Sequence, residues 1–222
     1  VWGPECWQPR SVDLPYVKNL MGLEHTPREL AVLHLLVGHG WRQHELLEIK
    51  ARDVRSMERG WIWCYGKERE EFAPILPETA ALLLSLIDDL EDDEQVIGSV
   101  RGRHERFGSD GMRVMVKRLL ARSGLTGFTG HNMRDTFATL VERKAGDLTV
   151  SMALIRDKVP GVASRYVTRD LPSLLENHTP LRQIEGEHSP GLTDGGEPGS
   201  DDEKGGVPGS IEPGNASFSV AG

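Results

Sequence analysis

Cysteine is scarce in this 222-residue chain: Cys6 and Cys64 are its only two. Two thiols make neither a disulfide framework nor a four-ligand zinc site, so reducing, cytoplasmic surroundings are expected. Long apolar runs are missing as well. With no stretch of eighteen apolar residues, no membrane-spanning helix is expected. The opening residues, VWGPECWQPR, lack the apolar run of a secretory signal and begin with Val rather than Met, as in a fragment or a processed product. Positive charge is in deficit too: 26 Lys+Arg stand against 34 Asp+Glu, a net charge of −8. Taken whole, that balance argues against a nucleic-acid binder.

Dividing the chain reverses that reading. Residues 1–100 carry 10 Lys+Arg against 18 Asp+Glu, and residues 183–222 carry 1 against 8. Between them, residues 101–182 carry 15 against 8, an excess of seven positive charges. A basic segment able to face a polyanion is thus masked by acidic flanks. Basic residues that merely solvate helix surfaces are the alternative.

The chain holds 25 Gly and 13 Pro, concentrated in the last forty residues. Residues 183–222 have almost no large apolar side chains and no periodicity. They cannot bury enough surface to offset chain entropy, and are expected to be a disordered acidic tail. The remainder reads as mainly α with one small antiparallel β-sheet, an α+β domain. Thr26-Pro27-Arg28-Glu29 is a capping box with Pro at the first helical position, ahead of a buried helix over Leu30–Val37. Gly38 and Gly40 stop that helix, and a short one restarts over Arg42–Ile49. Trp61, Trp63 and Tyr65 alternate with Ile62 and Cys64, which predicts a strand; the return strand is expected at Phe72–Leu76. Further helices are expected from Pro77 to about Leu90 and over 110–123, 131–144, 148–157, 160–168 and 171–177. No internal repeat is present.

Four segments carry residues suited to phosphate chemistry. In Gly40-Trp41-Arg42-Gln43-His44-Glu45-Leu46 an Arg follows a glycine break at a helix start, where free N–H groups favour an anion. Its forked guanidinium suits a phosphate better than a Lys does. An ordinary surface pair with Glu45 is the bland reading. Lys67 occupies the turn after the first strand, where most lysines are simply solvated. In Gly130-His131-Asn132-Met133-Arg134-Asp135-Thr136-Phe137-Ala138-Thr139-Leu140, the positions Met133, Phe137, Leu140 and Val141 form a buried stripe. His131 and Arg134, three apart, share a neighbouring face at the helix start. Tyr166 follows Arg134 by 32 residues in Ser164-Arg165-Tyr166-Val167. One Tyr among three is by itself most often a packing residue with a wet hydroxyl.

The order of the four persuades more than any one of them. G-x-R-x-x-E-L, a strand–turn Lys, H-x-x-R-x-T-F-A-T and then R-Y resembles the tyrosine recombinase (phage integrase) family from about Thr26 to Arg169. The resemblance implies a helical catalytic domain with a small sheet, over residues 26–182, after a lead-in segment at 1–25. It further implies DNA cleavage and rejoining through a 3′-phosphotyrosyl link, without metal, ATP or other cofactor. On that basis Arg42 and Arg134 clamp the scissile phosphate, and Lys67 protonates the departing 5′-oxygen. His131 bonds the phosphate or helps manage the nucleophile's proton, and Tyr166 attacks. The implied partner is double-stranded DNA in the nucleoid, with a homotetramer assembled on it.

Two departures from the family pattern bear on function. Nine residues before its Tyr the family usually carries His or Trp; here the position is Asp157. A carboxylate beside a phosphate repels it by about 4 kcal/mol at 4 Å and an effective dielectric near 20. Asp157 must therefore point away, be protonated, or pair with Arg156, Lys158 or an active-site Arg, unless a one-residue slip brings Arg156 or Lys158 into the pocket. The family also has a helical arm domain ahead of the catalytic one, and the roughly 25 residues before the capping box are too few for it, as in a trimmed chain or a minimal version. Two alternatives to a recombinase stay open: a catalytically weakened recombinase fold that binds DNA, and a strand relaxer like a type IB topoisomerase. No metal site is expected, because His39 and His44 are five apart and the other histidines form no ligand spacing.

Overall fold

A computed structural model describes residues 11–66, 70–98, 108–157 and 170–186. The helix expected at 160–168, residues 187–222 of the tail expected over 183–222, and the residues Lys67, Lys158 and Tyr166 lie outside the described residues, whereas residues 183–186 of that expected tail end a helix, Pro180–Gly186. Ten α-helices and one two-stranded sheet are described: α1 (Leu14–Met21), α2 (Pro27–Leu33), α3 (Gln43–Glu48), α4 (Ala51–Arg55), β1 (Trp61–Tyr65), β2 (Glu70–Pro74), α5 (Pro77–Leu84), α6 (Ser109–Arg122), α7 (Gly130–Ala145), α8 (Leu148–Leu154), α9 (Leu171–His178) and α10 (Pro180–Gly186). The expected α+β class, mainly helical with one antiparallel hairpin, is the observed one. No helix among the described residues is long and apolar enough to cross a membrane.

Local signals account for most of these starts and stops. Thr26 and Glu29 close a reciprocal cap at the head of α2, with Glu29 N–H donating to Thr26 Oγ1 at 3.2 Å and Thr26 N–H to Glu29 Oε2 at 3.0 Å. Thr129 starts α7, and Gly146, at φ +68°, ends it in a left-handed cap. In β1, Ile62 and Cys64 are buried while Trp61, Trp63 and Tyr65 take the other face. Burial pushes the Cys64 thiol up to about 12, so it stays protonated.

Several boundaries move under tertiary contacts. The return strand spans Glu70–Pro74 instead of 72–76, because Tyr65 pairs with Glu70 and the Leu76 N–H bonds a histidine instead of the ladder. Helix α5 stops at Leu84, short of Leu90; the carbonyls of Ile87 and Leu90 accept from Arg55 Nη2 instead, at 3.3 and 2.5 Å. Helix α8 ends at Leu154 rather than 157, since Arg156 turns the chain with φ +58°. Helices α1, α4 and α10 are elements that periodicity did not reveal. The segment assigned as a lead-in contains α1, whose Val17 and Leu20 are fully buried in the main core. Val12 N–H donates to Thr136 Oγ1 at 2.9 Å, fastening the same segment to α7.

Two apolar clusters meet on α7. Met133 and Leu140 face the larger one, built from α1–α6 and the hairpin; Phe137 and Val141 face a smaller one with Leu154, Ile155, Leu171 and Leu181. Helix α2 runs on into a π-turn, His34–Gly38, with Leu35, Leu36 and Val37 buried. This wider turn carries the chain round so that His39, buried, donates from Nδ1 to the His34 carbonyl at 2.9 Å. Its Nε2 accepts from Leu76 N–H at 3.1 Å, which fixes the neutral tautomer. A proton on Nε2 would set two N–H groups against each other.

Burial above all holds the His39 pKa down to about 3; the bond to the His34 carbonyl opposes the shift, and the neighbouring His34 imidazole and the Arg156 charge add to it. Unfolded His39 takes up a proton below about 6.5, whereas the folded one stays neutral until about 3. Stability is therefore lost as pH falls through that window, by up to about 1.4 kcal/mol per pH unit from this group. Denaturant titrations at pH 7, 5.5 and 4 are expected to show this slope, and a His39→Gln variant to show a slope shallower by about one proton.

Candidate active site

Helix α3 begins beside the start of α7. A Cβ on Gly130 would lie 2.5 Å from the Gln43 side chain, so a larger residue there would have to displace that side chain. Arg42, the residue before α3, takes extended backbone geometry, as expected of an Arg at a helix entry. Its N–H donates to Glu45 Oε2 at 2.7 Å, and its Nη1 to Glu45 Oε1 at 3.0 Å. The expected pairing with Glu45 exists, but it is no surface pair: the Glu45 side chain is 1% exposed. Beneath it, Arg156 Nη2 donates to Glu45 Oε2, and the Arg156 guanidinium lies 5.0 Å from the centre of the Trp41 ring. A buried carboxylate held by two guanidiniums and a backbone N–H is fully compensated, which is what burying its charge requires.

Arg134 reaches inward from α7 and is only 4% exposed. Its Nη1 donates to the Gly40 carbonyl at 2.6 Å and its Nη2 to the Ile155 carbonyl at 2.5 Å. Nη2 also reaches Asp157 Oδ1 at 3.1 Å. That oxygen is 2.8 Å from Arg42 Nη2, across 115 positions of sequence. Of the alternatives open for Asp157, the structure takes pairing with an active-site Arg, and it takes both of them. Arg156 pairs with the buried Glu45.

The two clamp cations differ in surroundings. Burial lowers the Arg134 pKa to about 10, assisted by the nearby Arg42 charge and resisted by Asp157. For Arg42, burial also works against the charge, but Glu45 and Asp157 outweigh it and raise its pKa above the ordinary value. Both are cationic at neutral pH. His131, in the first turn of α7, has a side chain 73% exposed; its Nε2 lies 3.8 Å from Asp135 Oδ1. Among the described residues, then, Arg42, Arg134 and Asp157 converge on one oxygen, while His131 stands one turn away on the surface, paired with Asp135. Lys67 and Tyr166 lie outside the described residues.

Sequence reasoning missed the support for this site: the buried Glu45, the Arg156 that shares it, and the carbonyls of Gly40 and Ile155. Glu45 had a signal, being three residues into a helix whose entry it caps. The carbonyls had none, since a backbone acceptor leaves no mark in side-chain identity.

Comparisons with known proteins give this chain relatives. The sequence pattern of the Phage integrase family matches residues 15–168. Tyrosine recombinase XerC of Roseiflexus castenholzii is 27% identical over 163 residues, covering 68% of this chain and 51% of the relative. The integrase of mycobacterium phage Brujita shares the fold with a TM-score of 0.62 at 18% identity, over 82% of this chain and 61% of that one. The XerA recombinase does so with a TM-score of 0.57 at 22% identity, over 85% and 66%. The chain thus spans about half the length of the curated relative it matches.

Gly40 joins the fold to the clamp. It holds φ +65°, and a Cβ there would lie 2.5 Å from Phe137 Cδ1 and 3.0 Å from Ile155 Cγ2. Gly40→Ala is expected to cost about 2–4 kcal/mol, from left-handed strain and overpacking together. Thermal unfolding checks this, with a lower midpoint expected; an unchanged midpoint would show that Phe137 and the Arg134 acceptor tolerate the shift.

Proposed function

Because the chain belongs to the phage integrase family, we propose that it is a site-specific DNA recombinase that cuts and rejoins duplex strands through a covalent 3′-phosphotyrosyl intermediate. The observation that carries this is the shared oxygen: one carboxylate oxygen lies 2.8 Å from Arg42 and 3.1 Å from Arg134. A non-bridging phosphate oxygen is the same kind of acceptor, so two guanidiniums that meet on the one suit the other. Both are held by groups other than Asp157, which keeps them oriented before any ligand arrives.

In the proposed reaction Arg42 and Arg134 bind the non-bridging oxygens of the scissile phosphate and stabilise the charge of the pentacoordinate state. Tyr166 Oη attacks phosphorus, and the bond to the 5′-oxygen breaks. Lys67 gives that oxygen its proton. His131 either bonds the phosphate or takes the phenol's proton, and its exposed place at the head of α7 leaves it open to an incoming strand. Attack by a 5′-hydroxyl on the phosphotyrosine reverses these steps and rejoins DNA, so no external energy source is consumed. The roles of Lys67 and Tyr166 rest on the family resemblance. We propose that the catalytic domain covers residues 26–182, joined by the preceding segment packed on it and by the rest of α10, and that a homotetramer on double-stranded DNA in the nucleoid is the working assembly.

A second reading has one observation in its favour: Asp157 occupies the clamp. A weakened recombinase fold that binds DNA without cutting it is consistent with that contact. Incubation with a pool of nicked duplexes of randomised sequence separates the two. The recombinase reading expects a denaturation-resistant protein–DNA adduct that Tyr166→Phe abolishes and that Arg134→Ala reduces by about 10²–10³-fold. Duplex binding without any adduct, equal in wild type and Tyr166→Phe, would favour the second reading instead.

A further inference from the structure

We propose that Asp157 is an internal stand-in for the DNA phosphate: in the DNA-free chain its carboxylate occupies the Arg42–Arg134 clamp, and substrate binds by displacing it. This rests on the reading of those two arginines as the phosphate clamp.

Three features carry it. First, the carboxylate does not merely lie near the clamp; its Oδ1 bonds both guanidiniums, at 2.8 and 3.1 Å. Those are the donors a non-bridging phosphate oxygen would need, so carboxylate and phosphate compete for them. Second, the clamp does not depend on Asp157 for its shape. Arg134 keeps the Gly40 and Ile155 carbonyls when Asp157 leaves, and Arg42 keeps Glu45. Third, the parts differ in freedom to move. The Arg134 side chain is 5% exposed and Glu45 1%, whereas Asp157 is 44% exposed and lies just past the left-handed turn at Arg156. Asp157 can swing into water while its partners stay in place.

The consequence is a site that screens its ligands. With Asp157 in, two cations face one anion, and the remaining attraction for a small free anion is weak. A duplex phosphate, tethered by contacts along the rest of the DNA, competes at high effective concentration and opens the clamp. An internal anion that fills the site nine-tenths of the time lowers the apparent affinity for an external one about tenfold.

The test measures inorganic phosphate binding to the full chain by calorimetry at fixed salt, in wild type, Asp157→Asn, Asp157→Ser, Arg42→Gln and the double variant Arg42→Gln/Asp157→Asn, each checked for folding by thermal melt. The expected result is about tenfold tighter phosphate binding in Asp157→Asn and Asp157→Ser, with a smaller gain when Arg42 is also replaced, because Asp157 then blocks Arg134 alone. Phosphate binding that Arg42→Gln weakens but neither Asp157 variant strengthens would overturn the stand-in role and leave the clamp intact. Phosphate binding indifferent to Arg42→Gln would remove the clamp itself, and the inference with it. A gain in the Asp157 variants that is undiminished in the double variant would also overturn it, because the carboxylate would then be acting through general charge and not through its bond to Arg42.

Discussion

Arg134 is a buried cation, and the rest of the site is arranged around that fact. A guanidinium withdrawn from water must find acceptors for its N–H groups or be expelled. Here two backbone carbonyls, from Gly40 and Ile155, supply them at short range, and Asp157 supplies charge. Each carbonyl is free because its own helix has stopped: Gly40 follows the π-turn, and Ile155 follows the last turn of α8. Helix ends that would otherwise leave orphan acceptors are thereby consumed by one side chain.

This arrangement also explains why α7 lies between two cores. Met133 and Leu140 face one cluster and Phe137 and Val141 the other, so α7 is wedged along most of its length. Arg134, between those stripes, is 4% exposed and shares the Asp157 oxygen with Arg42. Packing on both sides keeps the guanidinium from drifting, and preorganised donors are what an anionic transition state exploits. Arg42 is the looser partner, with its side chain 35% exposed and anchored by Glu45 from below. One cation is thus held rigidly and the other has room to adjust.

Charge is handled locally. Three guanidiniums, those of Arg42, Arg134 and Arg156, gather within a few residues of contact, and Glu45 and Asp157 sit among them. Glu45 is structural, buried and shared by Arg42 and Arg156. Asp157 is exposed and replaceable. That difference in burial, not in chemistry, separates a carboxylate that builds the site from one that occupies it.

Much of this was legible in the sequence. The capping box at Thr26, the alternation in β1, the stripe of Met133, Phe137 and Leu140, and the order of Arg42 and H-x-x-R are written in neighbouring residues, because caps and periodicity act within a turn or a strand. The helix end at Leu84, the end of the return strand at Pro74 and the core role of α1 were not, since each depends on a partner far along the chain: Arg55 for the carbonyls after α5, His39 for Leu76, Thr136 for Val12. Asp157 shows the division most plainly. Its identity and its place before Tyr166 could be read directly, and so could the need to neutralise it. Which cation does so was decided only when folding brought positions 42, 134 and 157 to a single oxygen, because a Coulomb interaction depends on distance in space and leaves no trace in sequence spacing.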